Sequence, residues 1–565
     1  MRRLILLTVI LALGLSGCGG GGGGSSTVTP GPVAQVISDS DAGRFLTQAT
    51  FGITDQDLAQ VKSDGYANWV SSQLAMAPSG SHQAFMERRL AELQVANPKA
   101  ALTTTEFYQS FWSQAAAGPD QLRQRVKFAL SQIFVISLAD ANVDPRGAAS
   151  YYDMLGQNAF GNYRTLLQAV TLHPMMGIYL TSLGNQKEDL TTGRQPDENY
   201  AREVMQLMSI GVYKLNLDGS IAVDSTGAPI SSYTPQDISG LAKVFTGMSW
   251  YSTNPSTTTY QGGQKNVNAT VTPMILYPAF HSTSAKSFLD TTIPASTTSD
   301  PEGDIKIALD TLYNHPNVGP FIAKRLIQNL VTSNPSPAYV ARVATIFNNN
   351  GSGVRGDMAA VVRAILLDSE ARDAAQASGE SYGKLREPIV RFANWMRTFG
   401  ATSSSGNYLI ASTSARTSLA QSPLAAPTVF NFYRPGFVPP NTRLARANLT
   451  GPEFQIAEEV SVAGYANTML TAINTGYGTS NDVRSTYDRE IALATDPAAL
   501  VDRMDKMLFS GQMSSKLRGQ ITTAVNGIAI PSGTATQTQI DTAKLNRAKL
   551  AVYMSMISPE YLVQK

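Results

Sequence analysis

The side chains best suited to acid, base or ion-pair chemistry are concentrated in one short stretch, residues 197–211. Glu198 and Glu203 are its candidate catalytic carboxylates, because a helix can hold a carboxylate at the mouth of a pocket for proton transfer. Arg202 follows Glu198 by four residues, a spacing at which side chains meet on a helix, and is a candidate binding residue. The alternative is structural, with Glu198 and Arg202 in a polar network that fixes helix packing.

Imidazole chemistry has only four histidines to draw on. His281 is the candidate catalytic one, since it lies between loops with Lys286, a candidate binding residue, five positions later. His173 and His315 each precede a proline at a predicted helix start, where a side chain is expected to cap or pack. His82 completes the set.

Three further residues are candidates for binding. Asp237 lies in the first turn of a predicted helix that begins at Thr234. Tyr433 and Arg434 belong to the aromatic segment 431–437, which could stack against carbohydrate. The alternative for this segment is a loop packed on the core.

Metal binding would require several of the carboxylates and histidines to converge, namely His173, His281, Glu198, Glu203 and Asp237. The sequence has no HExxH pair that would bring two of them together locally. It also has no GxSxG nucleophile elbow and no P-loop. No cofactor is therefore evident from the sequence, and a divalent metal is left open.

The stretch that carries these carboxylates must be a helix, because its apolar residues fall at i, i+4, i+7 and i+8: Tyr200, Val204, Leu207 and Met208. Pro196 and Asp197 supply a start signal and Gly211 a stop signal. Similar periodicity predicts helices at 42–48, 55–76, 121–138, 162–171, 234–247, 304–313, 318–332, 337–348, 357–367 and 384–399.

The segments between these helices are rich in Ser, Thr, Asn and Gly, especially residues 251–272, 400–422 and 473–482. Residues 216–227 are predicted to form a small β-hairpin or a pair of loops. The expected fold is therefore mainly α: a large multi-helix globular body with long polar loops and at most one small hairpin. It extends over residues 39–565, and a division into two subdomains within residues 251–300 is an alternative.

Composition excludes several classes of protein. With 44 Lys and Arg against 42 Asp and Glu, no overall field favours nucleic acid. The single cysteine excludes an internal disulfide framework. No segment after residue 38 approaches the ~18 to 20 consecutive apolar residues that a transmembrane helix needs.

That cysteine lies in an amino-terminal pattern typical of export. Two arginines precede the apolar residues 4–15, and the following Ser-Gly-Cys18 resembles the lipobox that bacterial lipoprotein signal peptidase recognises. The resemblance implies that residues 1–17 are removed and that Cys18 is lipidated, which makes the membrane a partner. The alternative is an ordinary signal peptide with an incidental cysteine.

Residues 18–38 are rich in glycine and serine and are expected to form a flexible tether between the lipid and the body. Gly19 rather than aspartate follows Cys18, and by resemblance to enterobacterial sorting rules this implies the outer membrane. The expected location is therefore the cell envelope, with the body on the periplasmic or the surface face.

Several stretches resemble signature segments of the bacterial domain-of-unknown-function 1800 family: residues 44–52, Glu198–Glu203, Tyr233–Asp237, Phe245–Gly247, His281 with Lys286, and Lys384–Pro388. The resemblance covers nearly everything after residue 40. It implies a large, mostly helical, exported bacterial protein, and it implies a partner, because members are often encoded beside a sulfatase-like family, domain of unknown function 1501.

Two departures from the family pattern remove metal ligands. Relatives carry a Trp-His-Asn-His-Phe type run where this chain has residues 128–134, and His-Asp where it has His281-Ser282. The predicted function is a binding or assembly module that acts with an envelope partner. The alternative is a hydrolase or transferase that acts on an envelope or extracellular polymer through carboxylate and histidine residues.

Overall fold

Local capping chemistry sets most of the helix starts. The side chains of Thr103 and Thr234 each accept a backbone hydrogen bond from the first turn of a helix. The carboxylates of Glu106 and Asp237 in turn accept the backbone N–H of the capping threonine. The computed structural model describes residues 36–565. The predicted signal peptide, Cys18 and most of the predicted tether lie outside the described residues.

Helices dominate this part of the chain, as the sequence predicts. Within residues 36–565 the α-helices are α1 (Asp39–Ala49), α2 (Asp55–Ala75), α3 (His82–Ala96), α4 (Thr104–Ala117), α5 (Gln121–Ser131), α6 (Pro145–Asn158), α7 (Tyr163–Leu172), α8 (Pro174–Tyr179), α9 (Asn199–Gln206), α10 (Pro235–Val244), α11 (Thr257–Tyr260), α12 (Pro301–Asn314), α13 (Val318–Leu330), α14 (Pro337–Asn348), α15 (Met358–Leu367), α16 (Ser369–Arg372), α17 (Ala374–Ser378), α18 (Pro388–Thr398), α19 (Arg443–Arg446), α20 (Glu459–Thr475), α21 (Asp488–Leu493), α22 (Pro497–Met504), α23 (Ser515–Asn526), α24 (Gln537–Met556) and α25 (Pro559–Leu562). Three 3₁₀ turns lie at Pro278–Phe280, Pro452–Ile456 and Thr479–Asn481, and a π turn at Asp505–Phe509.

The strands are short and pair antiparallel in twos. The pairs are β1 (Met248–Ser249) with β2 (Ile275–Leu276), β3 (Lys286–Phe288) with β4 (Thr291–Ile293), β5 (Lys384–Leu385) with β8 (Val563–Gln564), and β6 (Thr402–Ser403) with β7 (Val483–Arg484). The β3–β4 pair is a local hairpin, in the register Lys286 to Ile293.

Antiparallel pairing also occurs where the sequence predicted a small β-hairpin or a pair of loops. Residues 216–227 form only isolated bridges, such as Leu215 to Ile221 and Val223 to Pro229. The side chains of Asp218 and Asp224 accept bonds from the residues two positions later, which closes two tight turns. The Asn216 N–H donates to the Ser220 carbonyl and the Asp224 N–H to the Ala228 carbonyl, so the segment consists of two tight antiparallel turns and combines both features that the sequence left open.

Three predicted helices are shorter than their apolar periodicity suggests. The predicted helix 197–211 is α9, because Gly211 adopts a left-handed φ of 72° and its N–H turns back to the Met205 carbonyl. α5 ends at Ser131, where the N–H groups of Gln132 and Ile133 bond back to the carbonyls of Ala129 and Leu130, and the chain beyond it leaves the helix axis. α18 starts at Pro388 because residues 384–385 pair with β8 instead.

The core of the described residues is one large cluster of buried side chains, and a small second cluster consists of Val135, Ala426, Phe432 and Tyr433. Trp112 of α4 packs edge-on against Phe392 of α18, with ring centroids 5.2 Å apart. Within the same core, Trp395 donates its indole N–H to Tyr487 at 2.9 Å. Contacts hold Ile37–Lys565 together as one compact unit. Among the described residues no helix is both long and apolar enough to cross a membrane.

Distant parts of the chain meet at α1. Helix α1 packs against the π turn Asp505–Phe509. Lys506 Nζ lies 2.7 Å from Asp39 Oδ2, and Ser40 donates a side-chain hydrogen bond to the Ser510 carbonyl. Gly43 is needed here, because a Cβ at this position would lie 2.9 Å from Ser510 Oγ.

Candidate functional site

Two adjoining cavities lie where α9 ends and α13 passes the aromatic loop 429–438. The first has a volume of about 570 Å³ and the second about 250 Å³. Both include Phe321 and Arg325 of α13 in their walls. We call the two together the groove. Concave sites of this size that mix aromatic and polar walls are typical of ligand binding.

The aromatic loop supplies two residues that the sequence analysis singled out. Tyr433 is buried and donates its hydroxyl to Gln132 Oε1 at 2.9 Å. Burial, with Glu387 and Glu453 nearby, raises the pKa of Tyr433 well above its ordinary value. Arg434 is exposed, and its guanidinium lies 5.3 Å from the centre of the Phe430 ring. Both residues line the groove.

Helix α9 contributes to the groove through its last turn rather than through its charged residues. Gln206 and Leu207 line the cavity. Glu203 is 7% exposed, and its Oε2 has no hydrogen-bond partner among the described residues. Burial raises the pKa of Glu203, and the nearby Arg202 opposes that shift. Glu203 is thus a buried carboxylate beside the groove, not on its wall.

Glu198 and Arg202 form a surface ion pair. Arg202 Nη2 lies 3.1 Å from Glu198 Oε2, and both side chains are more than a third exposed. Ser239 of α10 donates to the other carboxylate oxygen of Glu198 at 2.7 Å. The pair therefore links α9 to α10.

Beside the groove lies a group of charged residues that the sequence analysis did not select as site residues. We call Arg125, Lys384, Glu387 and Glu453 the charged cluster. All four are buried, with at most 3% of each residue exposed. Lys384 Nζ lies 2.9 Å from Glu453 Oε1 and 4.0 Å from Glu387 Oε1. Glu453 lines the groove, so the cluster meets the cavity there.

Neutral groups hold the cluster in place. Gln132 and Gln421 each donate to Glu387 Oε2 at 2.7 Å. Lys384 and Arg125 both donate to the Asn329 carbonyl, at 2.9 and 3.2 Å. Because Gln132 also accepts the Tyr433 hydroxyl, the cluster fixes the position of the aromatic loop.

Several buried polar atoms of the charged cluster lack a hydrogen-bond partner. Within residues 36–565, Glu453 Oε2, Glu387 Oε1 and two guanidinium nitrogens of Arg125 have no hydrogen-bond partner. Burial raises the pKa of Glu453, while Lys384 opposes the shift and Glu387 reinforces it. A carboxyl group whose pKa is raised by burial at a cavity wall is a candidate for proton transfer.

Two members of the charged cluster lie in a segment that the sequence analysis noted, residues 384–388. Lys384 and Glu387 belong to it, and it resembles a family signature. The apolar periodicity of residues 384–399 predicted a helix that begins at Lys384. Charged residues at the start of a helix are usually exposed, so the prediction did not indicate that Lys384 and Glu387 are buried. Glu453 had no such signal, because its burial depends on Lys384, 69 positions earlier in the chain.

His281 and Lys286 are brought together by a residue that the sequence analysis did not identify, Asp304 of α12. Asp304 Oδ2 lies 2.9 Å from His281 Nε2 and 2.8 Å from Lys286 Nζ. His281 is fully buried, and its Nδ1 lies 2.9 Å from the Thr246 carbonyl. None of these three residues lines the groove. They join the β3 region to α10 and α12.

Asp237 acts in the same region. One carboxylate oxygen closes the capping box of α10, and the other accepts the Leu289 N–H at 2.7 Å. Leu289 has a left-handed φ of 48°, at the turn of the β3–β4 hairpin. The Asp237 side chain therefore ties this turn to the start of α10.

Of the two histidines expected to cap or pack, His173 caps a helix, whereas His315 closes the turn before α13, whose own N-cap is Asn317. His173 precedes α8 and accepts the Met175 N–H, and burial lowers its pKa to about 3. His315 follows α12 and accepts the Asn317 N–H through Nδ1. Within the described part of the chain, no three His, Cys, Asp or Glu side chains are grouped so as to hold a metal ion.

The comparisons with known proteins agree with the sequence motifs. The family model described as "Protein of unknown function (DUF1800)" matches residues 44–563. No curated protein and no solved structure matches the chain. Since the family model covers nearly all of the helical body, the chain belongs to the DUF1800 family.

Proposed function

We propose that the protein is a binding module of the bacterial cell envelope and that its ligand occupies the groove. The observation that carries the proposal is the cavity of about 570 Å³ under the aromatic loop. Phenyl rings, a guanidinium and amide groups face one concave space there, and the charged cluster supports the loop from beneath. Such a surface supplies both apolar contact and directed polar contact to a ligand.

A matched pair of glycine variants tests this proposal. Gly436 lies in the groove wall with no atom within 4 Å of where its Cβ would be, so Gly436→Trp should fill the space without distorting the backbone. Gly519 is exposed on α23, far along the chain, and is equally open, so Gly519→Trp is the control.

The measurement is retention of envelope glycans and proteins on the immobilised full chain, identified by mass spectrometry. We expect one stoichiometric ligand to be retained by the parent chain and by Gly519→Trp but lost from Gly436→Trp. Equal retention by all three proteins would contradict a binding role for the groove.

A second candidate function is a hydrolase or transferase that acts on an envelope or extracellular polymer. The position of Glu453 on the groove wall favours it, because burial raises the pKa of this carboxyl, and a raised pKa is the direction of shift that suits a general acid. Turnover of a polymer that is lost in Glu453→Gln, without a stable complex, would support the enzyme over the binding module.

We further propose lipid attachment at Cys18 and an outer-membrane location. The support is the lipobox-like sequence before Cys18 and the Gly19 that follows it. Cys18→Ala should release the body from the membrane fraction, and its continued sedimentation after a carbonate wash would contradict the lipid anchor. A sulfatase-like protein of the domain-of-unknown-function 1501 type is the proposed protein partner, on the strength of the family resemblance.

A further inference from the structure

The groove wall contains cations that the protein does not neutralise. Within residues 36–565, Lys324, Arg325 and Arg434 take part in no ion pair, although the chain forms many others. The carboxylate of Glu453, which faces the same space, is already paired with Lys384. The groove therefore carries an excess of positive charge, in a chain whose overall charge is close to balance.

Two of these cations are adjacent on α13 and are partly withdrawn from water. Burial lowers the pKa of Arg325 to about 10. Burial and the charge of Arg325 lower the pKa of Lys324, and only the more distant Asp218 opposes that shift. Since both shifts disfavour the charged form, an anion that binds at either side chain would relieve an existing electrostatic cost.

Each arginine is also held over an aromatic ring. The Arg325 guanidinium lies 5.1 Å from the centre of the Phe321 ring, and that of Arg434 lies 5.3 Å from Phe430. Stacking of this kind orients the planar guanidinium and leaves its edge free. A guanidinium edge matches the two oxygens of a carboxylate or sulfate group.

The remaining wall suits a ligand rich in hydroxyl groups. Gln206 accepts the Tyr233 hydroxyl through Oε1, and Gln328 donates to the Ser333 carbonyl through Nε2. Within the described residues, the other amide atom of each side chain makes no hydrogen bond. Phe437 adds an apolar face of the kind on which a sugar ring can lie.

The two cavities adjoin along α13, so the groove is longer than one compact binding pocket. We propose that the groove binds a segment of acidic polysaccharide, with carboxylate or sulfate groups at Arg325 and Arg434 and sugar rings against the aromatic loop. This inference rests on the proposed binding function and specifies its ligand.

The test is a calorimetric titration of the full chain with three oligosaccharides of equal length: hexagalacturonate, a sulfated hexasaccharide and neutral maltohexaose. We expect at least one acidic oligomer to bind about tenfold or more tightly than the neutral one, and to weaken as salt is raised. The two acidic arms distinguish carboxylate from sulfate as the recognised group.

Variants assign the binding to the groove. Arg325→Gln and Arg434→Gln should each weaken acidic-oligomer binding by about 10- to 100-fold, the scale of a lost hydrogen bond to a charged group. Arg443→Gln is the control, because it removes the same charge from an arginine that is 84% exposed and lies outside the groove.

The outcomes separate this inference from the proposed function. Equal binding of acidic and neutral oligomers, lost in Gly436→Trp, would overturn the acidic ligand and keep the binding groove. If no oligosaccharide binds and a peptide or protein is retained through the groove instead, the acidic polysaccharide is likewise overturned and the binding groove is kept. Acidic binding that survives both groove variants but falls in Arg443→Gln would also overturn the inference.

Discussion

His281 Nε2 lies 2.9 Å from Asp304 Oδ2, and the imidazole is fully buried. The same oxygen lies 2.8 Å from Lys286 Nζ. One carboxylate therefore holds two of the residues that the sequence marked as candidates, His281 for catalysis and Lys286 for binding, and neither of them lines the groove. This geometry favours a structural role for His281 and Lys286.

Asp304→Asn should consequently lower the free energy of unfolding by about 3 to 5 kcal/mol, because it leaves the buried Lys286 ammonium without a counter-charge. Chemical denaturation at neutral pH measures the change. Glu198→Gln breaks an exposed ion pair and is the control, with an expected change below about 1 kcal/mol. An unchanged unfolding midpoint in Asp304→Asn, together with loss of ligand binding, would indicate that His281, Lys286 and Asp304 have a functional role.

Glu203→Gln should have an effect that depends on pH. Burial raises the folded-state pKa of Glu203 above its ordinary value of 4.5, so the folded chain favours the protonated form. The stability that this group contributes is complete below pH 4.5 and is lost as pH rises through the folded-state pKa. Glutamine imitates the protonated form at every pH.

The variant should therefore equal the parent chain near pH 4 and exceed it by about 1 kcal/mol at pH 7, the scale of one unsatisfied buried polar group. Urea unfolding at the two pH values measures this. A less stable variant at pH 7 would mean that the Glu203 carboxylate has a favourable partner. Loss of ligand binding in Glu203→Gln without loss of stability would support a catalytic or binding role for Glu203.

Lys384→Met should cost about 3 to 5 kcal/mol of stability at neutral pH, because Glu453 then keeps a buried charge without its cation. Adding Glu453→Gln should recover part of that loss, and the double-mutant cycle gives the coupling. Lys306→Met, which removes an exposed partner of Asp310, is the control. Strictly additive losses would show that Lys384 and Glu453 act independently.

Gly240→Ala should destabilise the chain by about 1 to 3 kcal/mol or more, since a Cβ on α10 would lie 1.8 Å from the Ser287 carbonyl oxygen of β3. Gly519→Ala, in an exposed helical position with open space around it, should instead stabilise the chain by about 0.5 to 1 kcal/mol. Thermal unfolding of both variants measures the contrast. Two changes of the same sign would contradict the close contact between α10 and β3.

Hydrophobic periodicity predicted the helical class and the cores of α1, α2, α7, α10 and α12 to α15. It did not predict the limits of α5, α9 and α18. For α18 the reason is a distant contact, because residues 384–385 pair with β8 at the carboxyl-terminal end of the body. Several helices, among them α3, α4 and α6, were not predicted from the sequence at all.

The candidate site was predicted only in part. Tyr433 and Arg434 stood out because an aromatic run is visible locally. Arg325 did not, because an arginine on an amphipathic helix is normally paired or solvated. Only the structure shows that it lines a cavity in which the carboxylate of Glu453 is already paired with Lys384. The charged cluster likewise needs three segments to meet, α5, residues 384–388 and the turn Pro452–Ile456, before its burial is evident.

The packing of α1 against Asp505–Phe509 affects the order in which the chain can fold. Ser40 and Ser510, which are bonded there, are 470 positions apart. α1 is the first of the described helices to be synthesised. The face of α1 that packs against Asp505–Phe509 has no partner until the carboxyl-terminal helices have been made. Contacts of such separation slow folding, so the body should close late and as a unit. Any factor that holds the growing chain would find the face of α1 around Gly43 still open.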